Sequence, residues 1–343
     1  MISNPLISVC IPVYNTEPFL LQCLRSVIMQ EFADFEIVVV SDSSHGKDSQ
    51  GRSAKKLVRI AQKECDSFRK SKNLPKVKIK FVEHRENRGI LEVRRTLCFE
   101  AGGEYICFVD SDDVLEEGAL ASFREHGADI IQGKSFSGTF DNDGNFKPLA
   151  QNLYDKNFTG ELTGHQIFHE WVINGKVSGM LWAKLIKRSL LLKAFENIPY
   201  SECNFAEDYL ISFFITQFSQ TYIGIEAPVY RYRVSSGVSS SRKIDNLDKW
   251  KMVCSTSSVF TVISQWIQEN QGESKITQEE EGFIRRKTAI YLANNLKQMN
   301  ETVIPELQPA ARQMLCEYWG EHFVQKVEEN LEGTLRQAQG PRL

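Results

Sequence analysis

The chain has 343 residues, of which 42% are hydrophobic and 25% are charged, and its formal net charge is −3. This composition is ordinary for a globular protein and excludes a disordered chain, while the small net charge gives no reason to expect a nucleic-acid partner. Because the length exceeds what one small core holds, we expect one large α/β domain with an appended second one.

The sequence gives no signal for export or for insertion into a membrane. Its N-terminal segment is typical of a strand rather than a signal peptide, and no run approaches the ~18 apolar residues of a membrane span. Its eight cysteines form no C-x-x-C pair and indicate buried thiols in a reducing compartment. The basic stretch from Lys47 to Arg95 is interpreted as a solvated helix and strand, with contact to anionic lipid as the alternative. We expect a cytoplasmic protein with at most peripheral contact at the inner face of a membrane.

Strands and helices alternate through the first 110 residues. Apolar runs predict strands at residues 6–13, 35–40 and 105–109, and the alternation of apolar residues with lysines predicts a further strand at 77–81. Apolar residues at helical spacing predict helices at residues 17–30, 53–72 and 90–101. This alternation predicts a mostly parallel sheet with helices on both faces. In such sheets, ligands bind outside the carboxyl ends of the strands.

The pattern loosens after residue 131. The turn-rich segment 138–157 predicts a hairpin or loop, and residues 228–234 alternate like a strand. Helical spacing returns at residues 164–171, 180–194 and 205–218. From residue 245 onward it predicts only helices, at 245–270, 278–299 and 305–331.

An acidic turn, Asp110-Ser111-Asp112-Asp113, follows the strand predicted at 105–109. Residues i and i+2 of an extended chain point the same way, so Asp110 and Asp112 can present both carboxylates to one site. Carboxylate oxygens suit Mg²⁺ or Mn²⁺, and such an ion neutralises the charge that develops on a diphosphate leaving group. For Asp113 the alternative is a helix N-cap.

Two further polar clusters follow the first two predicted strands. Pro12, Tyr14 and Glu17 follow the first, and together they suit a nucleoside, which needs an aromatic or apolar surface and polar anchors. Asp42 follows the second, where it is suited to accept hydrogen bonds from a base or ribose. The structural alternatives are a turn, a helix cap and an acid that complements a helix dipole.

Two more clusters lie at predicted helix starts. Asn87 and Gly89 predict a turn, and Arg94 is placed to face a phosphate or to orient the acidic turn, with a surface arginine as the alternative. Glu207 and Asp208 open a helix, where a carboxylate can take a proton from a hydroxyl group. The alternative for these two acids is an interaction with the helix dipole.

Taken in order, these segments resemble glycosyltransferase family 2, a large inverting family with the GT-A fold. The matching strings are ISVCIPVYNTEPFLLQCLRSVIMQ, FEIVVVSDSS, ENRGILEVRRTL, GEYICFVDSDDVL, LWAKLIKRSLL, FAEDYLISFF and PVYRYR. The resemblance covers about Ile7 to Arg233. One departure is Arg95, which stands where the family has asparagine and is expected to bring an extra positive charge near the nucleotide.

The resemblance implies roles for the clustered residues. It implies a nucleoside pocket lined by Pro12, Tyr14, Glu17 and Asp42. It implies that Asp110, Ser111 and Asp112 form the D-x-D metal and nucleotide site, which Asn87, Gly89 and Arg94 complete. It also implies that Asp208, next to Glu207, is the catalytic base. On this basis we predict a GT-A catalytic domain at 1–240, a helical domain or extension at 241–335 and a flexible tail at 336–343.

The implied function is the inverting transfer of a sugar from a nucleoside diphosphate, expected to be UDP, to a hydroxyl of a glycan or lipid-linked acceptor. This reaction, assisted by Mn²⁺ or Mg²⁺, belongs in cell-surface polysaccharide synthesis, and Arg94 or Lys184 is expected to help neutralise phosphate. The alternatives are nucleotidyl transfer, which normally needs a glycine-rich phosphate loop that is missing here, and non-catalytic binding of a sugar nucleotide. We expect the amphipathic C-terminal helices to pack on the catalytic domain or to form a homodimer.

Overall fold

The computed structural model describes residues 6–141, 143–150, 157–201, 203–234, 243–272 and 274–339, with side chains up to residue 331. Its contacts divide the chain into two compact units. The first, here called the sheet unit, comprises Met1–Tyr200 and Ile211–Ser240. The second, the helical unit, comprises Ser201–Leu210 and Ser241–Leu343. The short segment 201–210 therefore belongs with the C-terminal helices, although it lies between two parts of the sheet unit in sequence.

The first half of the sheet unit is a parallel sheet in the order β3-β2-β1-β4. The strands are β1 (Ile7–Val13), β2 (Phe35–Ser41), β3 (Ile79–Glu83) and β4 (Tyr105–Phe108). The helices between them are α1 (Glu17–Ile28), α2 (Ala54–Ser71) and α3 (Ile90–Glu100). All residues of β1 and β4 are buried, which explains why these strands are continuous apolar runs rather than alternating ones. The strands and helices predicted for this half are confirmed.

The second half of the sheet is mixed, and the order continues β4-β9-β6-β10-β5. Its strands are β5 (Val114–Leu115), β6 (Ile130–Phe140), β7 (Phe146–Pro148), β8 (Gly160–Thr163), β9 (Lys184–Lys187) and β10 (Thr221–Arg233). Its helices are α4 (Ala119–Arg124), α5 (His165–Val172), α6 (Arg188–Asn197) and α7 (Glu207–Phe218), and α7 belongs to this unit from Ile211 onward. The α/β architecture that the sequence predicts is thus confirmed, with parallel pairing concentrated in the first half.

The helix predicted at 180–194 is wrong in its first part. Lys184–Lys187 forms strand β9, which pairs antiparallel with β4 and β6, and α6 begins only at Arg188. Ala183, just before the strand, has a φ of 58°, which a continuous right-handed helix does not allow. Pairing with neighbouring strands has therefore overridden the local helical pattern.

The helical unit has its own apolar core. Its helices are α8 (Leu247–Cys254), α9 (Thr256–Glu269), α10 (Gln278–Thr302), α11 (Gln308–Trp319) and α12 (Glu321–Gln339), with a 3-10 turn at Pro305–Leu307. Trp250 is fully buried in this core, and its indole N–H donates to the Ala311 carbonyl at 2.8 Å. Thr277 and Glu280 form a capping box that fixes the start of α10.

The sequence predicts three helices in this region, and two of them are divided in the structure. Ser255 separates α8 from α9, and Gly320, with a φ of 84°, ends α11 before α12. The flexible tail predicted at 336–343 is wrong in its first part, because residues 336–339 are the end of α12, and residues 340–343 lie outside the described chain. Among the described residues, none of the helices is both long and apolar enough to cross a membrane.

All eight cysteines are free, as the sequence predicts. Seven are buried and Cys316 on α11 is partly exposed. Burial raises the pKa of Cys107 to about 12 and that of Cys65 to about 11. The cysteines therefore serve as small apolar side chains that keep their protons.

Candidate active site

The loop that follows β1 is hydrogen-bonded to the loop that follows β2. Asn15 has a φ of 56°, and its backbone N–H donates to Ser44 Oγ at 2.8 Å. Ser44 Oγ in turn donates to Glu17 Oε1 at 2.6 Å, and Glu17 is only 1% exposed. A Cβ atom on Gly46 would lie 1.9 Å from Glu17 Oε2, so the loop passes the carboxylate as closely as glycine permits. These contacts fix Glu17 between two strand ends.

The other residues predicted near the nucleoside occupy different environments. Pro12 is buried within β1, opposite Val40 of β2. Tyr14, one residue beyond the strand, is 37% exposed and presents its ring to solvent. Between Tyr14 and α1, Thr16 Oγ1 lies 2.6 Å from Ser111 Oγ. This hydrogen bond joins the loop after β1 to the acidic turn after β4.

Asp42 holds the turn that precedes α3. Its Oδ1 accepts from His84 Nδ1 at 2.7 Å, and its Oδ2 accepts from the backbone N–H of Gly89 at 2.9 Å. The N–H of Arg88 donates to the same carboxylate at 2.9 Å, and Asp42 is 2% exposed. Asp42 therefore orders the predicted Asn87–Gly89 turn, in which the Asn87 side chain is exposed.

Within the acidic turn, Asp113 is buried and binds strand β10. Its Oδ2 accepts from the Tyr230 hydroxyl at 2.8 Å, and its Oδ1 accepts from the Arg233 N–H at 2.6 Å. Burial raises the pKa of Asp113 well above its ordinary value, and the charges of Asp112 and Asp110 act in the same direction. The N-cap role considered for Asp113 is wrong, because β5 and not a helix follows it.

Asp110 and Asp112 are the more exposed carboxylates of the turn. The Asp110 side chain is 26% exposed, and its Oδ1 lies 3.2 Å from Arg94 Nη2. Arg94 is buried, and its guanidinium lies over the Phe108 ring at 5.2 Å. Asp112 is partly buried, and its backbone carbonyl accepts from Arg233 Nε at 2.7 Å. Arg94 thus contacts Asp110, and its predicted roles of orienting this acid and of facing a phosphate both stay predictions.

An aromatic stack supports the acidic turn from β10. The Tyr230 ring stacks on Trp182 with centroids 4.9 Å apart, and Tyr232 stacks on Trp182 at 5.5 Å. The Tyr230 hydroxyl accepts from the Asp110 N–H at 3.0 Å while it donates to Asp113. Burial raises the pKa of Tyr230, which keeps this hydroxyl protonated as a donor. Sequence reasoning missed this stack, although the alternation PVYRYR placed both tyrosines on one strand.

Two cations that the sequence placed near the phosphates are engaged elsewhere. Arg95 donates to the carbonyls of Phe195 and Ile198, both at 2.9 Å, where α6 ends. Lys184 is 1% exposed, and its ammonium donates to the carbonyls of Ser178 and Met180. Both side chains therefore order backbone segments of the sheet unit.

The second acidic cluster, Glu207 and Asp208, lies in the helical unit. We call residues 201–210 the α7 turn. Ala206 has a φ of 62°, and its carbonyl accepts from the N–H groups of Tyr209 and Leu210, which begins α7. Glu207 is buried and Asp208 is partly buried. Both carboxylates lie in the first turn of α7, where the helix dipole favours negative charge.

Among the described residues, no group of three or more His, Cys, Asp and Glu side chains is arranged to hold a metal ion. The acidic turn offers two carboxylates, Asp110 and Asp112, because Asp113 is bound by Tyr230 and Arg233. A site of this kind depends on a ligand to complete the shell of an ion. Mg²⁺ in particular is usually held by one or two carboxylates together with substrate phosphates.

Sequence comparisons identify relatives of the chain. A family model described as glycosyl transferase family 2 matches residues 8–185. Glycosyltransferase GlyA of Streptococcus pneumoniae is 28% identical over 246 residues, which are 69% of this chain and 32% of GlyA. The chain thus spans about a third of that relative. EpsH of Bacillus subtilis is 26% identical over 303 residues, which are 86% of this chain and 78% of EpsH.

A third relative is also a structural neighbour. TarS of Staphylococcus aureus, named a poly(ribitol-phosphate) beta-N-acetylglucosaminyltransferase, is 28% identical over 213 residues, 60% of this chain and 31% of TarS. The crystal structure of TarS 1–349 in complex with UDP-GlcNAc matches with a TM-score of 0.54 and 20% identity, covering 98% of this chain and 93% of that one. At this level of identity the likeness establishes the fold, and it confirms the GT-A type architecture.

Proposed function

Because the chain belongs to glycosyl transferase family 2, we propose that it transfers a sugar from a UDP-sugar to a hydroxyl of a cell-surface glycan, with inversion at the anomeric carbon. The observation that carries this proposal is the hydrogen-bonded set of loops at the carboxyl ends of β1, β2 and β4, which includes Thr16, Ser44 and Ser111. Ligands of α/β sheets bind at this edge. The family assignment favours sugar transfer over nucleotidyl transfer and over non-catalytic binding, which the sequence alone left open.

In this proposal the nucleoside of the donor binds beside Tyr14 and Glu17. The exposed ring of Tyr14 provides a surface on which a base can stack. Among the described residues, Glu17 Oε2 is a buried acceptor without a hydrogen-bond partner. Because a buried acceptor is costly to leave unpaired, a ribose hydroxyl or a base N–H is a suitable partner. The complex of TarS with UDP-GlcNAc supports uracil as the base of the donor.

The diphosphate of the donor is proposed to lie at the acidic turn. Asp112, together with Asp110, would hold Mn²⁺ or Mg²⁺ there, with the remaining ligands supplied by phosphate and water. The bound ion would neutralise the charge that develops on the departing diphosphate. Arg94 keeps Asp110 in place through the contact at 3.2 Å. Asn87 and Gly89, in the turn held by Asp42, would flank the same group.

The proposed catalytic base is Asp208, with Glu207 beside it. Asp208 takes the proton of the acceptor hydroxyl as that oxygen attacks the anomeric carbon, and the bond from this carbon to the diphosphate breaks on the opposite face. A general base of this kind contributes a factor of roughly 10²–10⁴ to the rate. Asp208 is partly buried whereas Glu207 is buried, and this difference supports Asp208 as the acid that an acceptor hydroxyl can reach.

We further propose that the acceptor is a glycan or a lipid-linked precursor, that the enzyme acts in the cytoplasm with at most peripheral membrane contact, and that the C-terminal helices can support a homodimer. The name of TarS, which acts on a poly(ribitol phosphate), supports a polyol or sugar polymer as acceptor. The exposed cations of α2, which include Lys55 and Arg59, are the surface most suited to a weak contact with anionic lipid.

The proposal is tested with a panel of nucleotide sugars, assayed for release of the nucleoside diphosphate with and without Mn²⁺. We expect hydrolysis or transfer from a UDP-sugar, stimulated by Mn²⁺, and little release from GDP- or ADP-sugars. Asp208→Asn serves as the control for background hydrolysis. If the nucleoside diphosphate is released only from a different nucleotide sugar, the proposed nucleobase of the donor is wrong. If the activity does not depend on Mn²⁺, the metal has no part in the reaction.

A further inference from the structure

The α7 turn is anchored to the helices that follow it in sequence. The N–H of Asn204 donates to Ser255 Oγ at 3.3 Å, and Ser201 Oγ donates to Ser258 Oγ at 3.4 Å. Both contacts are made at the start of α9. Phe205 packs against the apolar core of the helical unit. The backbone on the N-terminal side of Glu207 and Asp208 is thus fixed by the helical unit itself.

A cluster of three aromatic rings packs around Tyr209, near the C-terminal end of the α7 turn. The Tyr209 ring lies 5.7 Å from Phe260 of α9 and 6.2 Å from Tyr291 of α10. Phe260 and Tyr291 lie 5.0 Å apart, so each ring contacts the other two. Aromatic pairs at these distances stabilise each other beyond the burial of their surface. Tyr209 directly follows Asp208 at the start of α7, so the packing of its ring restrains the backbone that carries the carboxylate.

The carboxylates of the α7 turn also interact electrostatically with this aromatic cluster. Burial raises the pKa of Tyr291, and the charges of Asp208 and Glu207 raise it further. Ala206 adds a constraint, because its φ of 62° is unfavourable for an alanine and persists only where the surroundings fix the backbone.

We propose that the helical unit positions the catalytic base, and that Phe260 and Tyr291 are positioning residues which hold Asp208 in its reactive orientation by packing on Tyr209. This inference rests on the proposed function, since it takes Asp208 as the base. It gives the C-terminal helices a part in the chemistry although they contain no motif of the family. Small displacements of a reacting group, of about 1 Å, can cost roughly 10²-fold in rate.

The test uses the full chain and compares Phe260→Ala with Leu315→Ala. Leu315 is fully buried in the core of the same unit, on α11, so its truncation loosens the unit at a different place. We expect Phe260→Ala to lower kcat by roughly tenfold or more, with the KM for the donor and the affinity for UDP within about twofold of wild type. Leu315→Ala should lower the thermal midpoint at least as much and keep kcat near wild type. Phe260→Leu, which retains a large apolar side chain, should recover most of the lost kcat.

Equal losses of kcat in Phe260→Ala and Leu315→Ala would overturn the proposal, because the effect would then follow general stability. If Phe260→Ala does not fold, the partly exposed Tyr291 is replaced instead, and Tyr291→Ala is expected to give the same loss of kcat. Asp208→Asn, measured in parallel, separates the two proposals. Near-normal turnover in Asp208→Asn would contradict the assignment of Asp208 as the base. An inactive Asp208→Asn together with a normal Phe260→Ala would contradict only the positioning role of Phe260.

Discussion

The acidic turn after β4 and the α7 turn each offer a pair of carboxylates, but different interactions hold them. The acidic turn is fixed by polar contacts: the hydroxyl of Tyr230, the backbone N–H of Arg233 and the guanidinium of Arg94. The α7 turn is fixed mainly by apolar and aromatic packing around Tyr209. The first arrangement fixes Asp113 by hydrogen bonds and leaves Asp110 and Asp112 more exposed, and the second restrains the backbone that carries Asp208.

The comparison also shows that acidic residues within one short segment have different structural roles. In Asp110-Ser111-Asp112-Asp113, the last carboxylate is 1% exposed and joins β4 to β10, while the first is 26% exposed and oriented by an arginine. Replacements within each turn therefore distinguish residues that carry the chemistry from residues that build the site.

The largest effect is expected at the α7 turn. Asp208→Asn keeps the shape of the side chain and removes its basicity, so turnover should fall by roughly 10²–10⁴-fold while UDP binding survives. Steady-state kinetics and calorimetry with UDP measure the two quantities. Glu207→Gln is the matched control in the same turn, and it should retain most of the turnover. Near-normal turnover in Asp208→Asn would move the role of base to Glu207 or to another residue.

A smaller effect, on stability, is expected at the acidic turn. Tyr230→Phe keeps the ring on Trp182 but removes the hydroxyl that donates to Asp113 and accepts from Asp110. A buried group left without its partner costs about 1–3 kcal/mol, so the thermal midpoint should fall. The control is Tyr222→Phe on the same strand, whose hydroxyl makes a longer contact of 3.3 Å with a carbonyl. Equal shifts in the two variants would show that the Tyr230 hydroxyl does not fix the turn.

The smallest effect concerns metal-dependent binding. In the wild type we expect Mn²⁺ to tighten UDP binding by roughly tenfold, about 1.4 kcal/mol. Asp112→Ala should lose this increment, because two carboxylates are a minimal site for the ion. Asp113→Asn should keep it, since Asp113 binds Tyr230 and Arg233. Calorimetry with and without Mn²⁺ measures both variants, and an equal metal dependence in Asp112→Ala and wild type would contradict the assignment.

The parallel half of the sheet was predictable because β1, β2 and β4 are apolar runs, β3 alternates apolar residues with lysine, and a polar loop follows each strand. Strand β9 was not, since Lys184–Lys187 pairs with residues more than 50 positions earlier in β6 and more than 70 earlier in β4. The same reason applies to the site. The acidic residues can be recognised as short sequence motifs, but their partners cannot. Tyr230 is 117 residues from Asp113, which it binds, and His84 is 42 residues from Asp42. No local sequence pattern predicts which distant polar group will form a hydrogen bond with a given acidic residue.

The distribution of the cysteines makes the native protein suitable for labelling at a single site. Seven thiols are buried, and Cys316 on α11 is the one that is partly exposed. Burial also raises the pKa of Cys316, so it reacts more slowly than a free thiol, but solvent still reaches it. A maleimide dye should therefore attach to the helical unit of the folded protein, and seven further thiols should become reactive as the chain unfolds. One fluorophore on α11 would then report local opening of the helical unit separately from global unfolding.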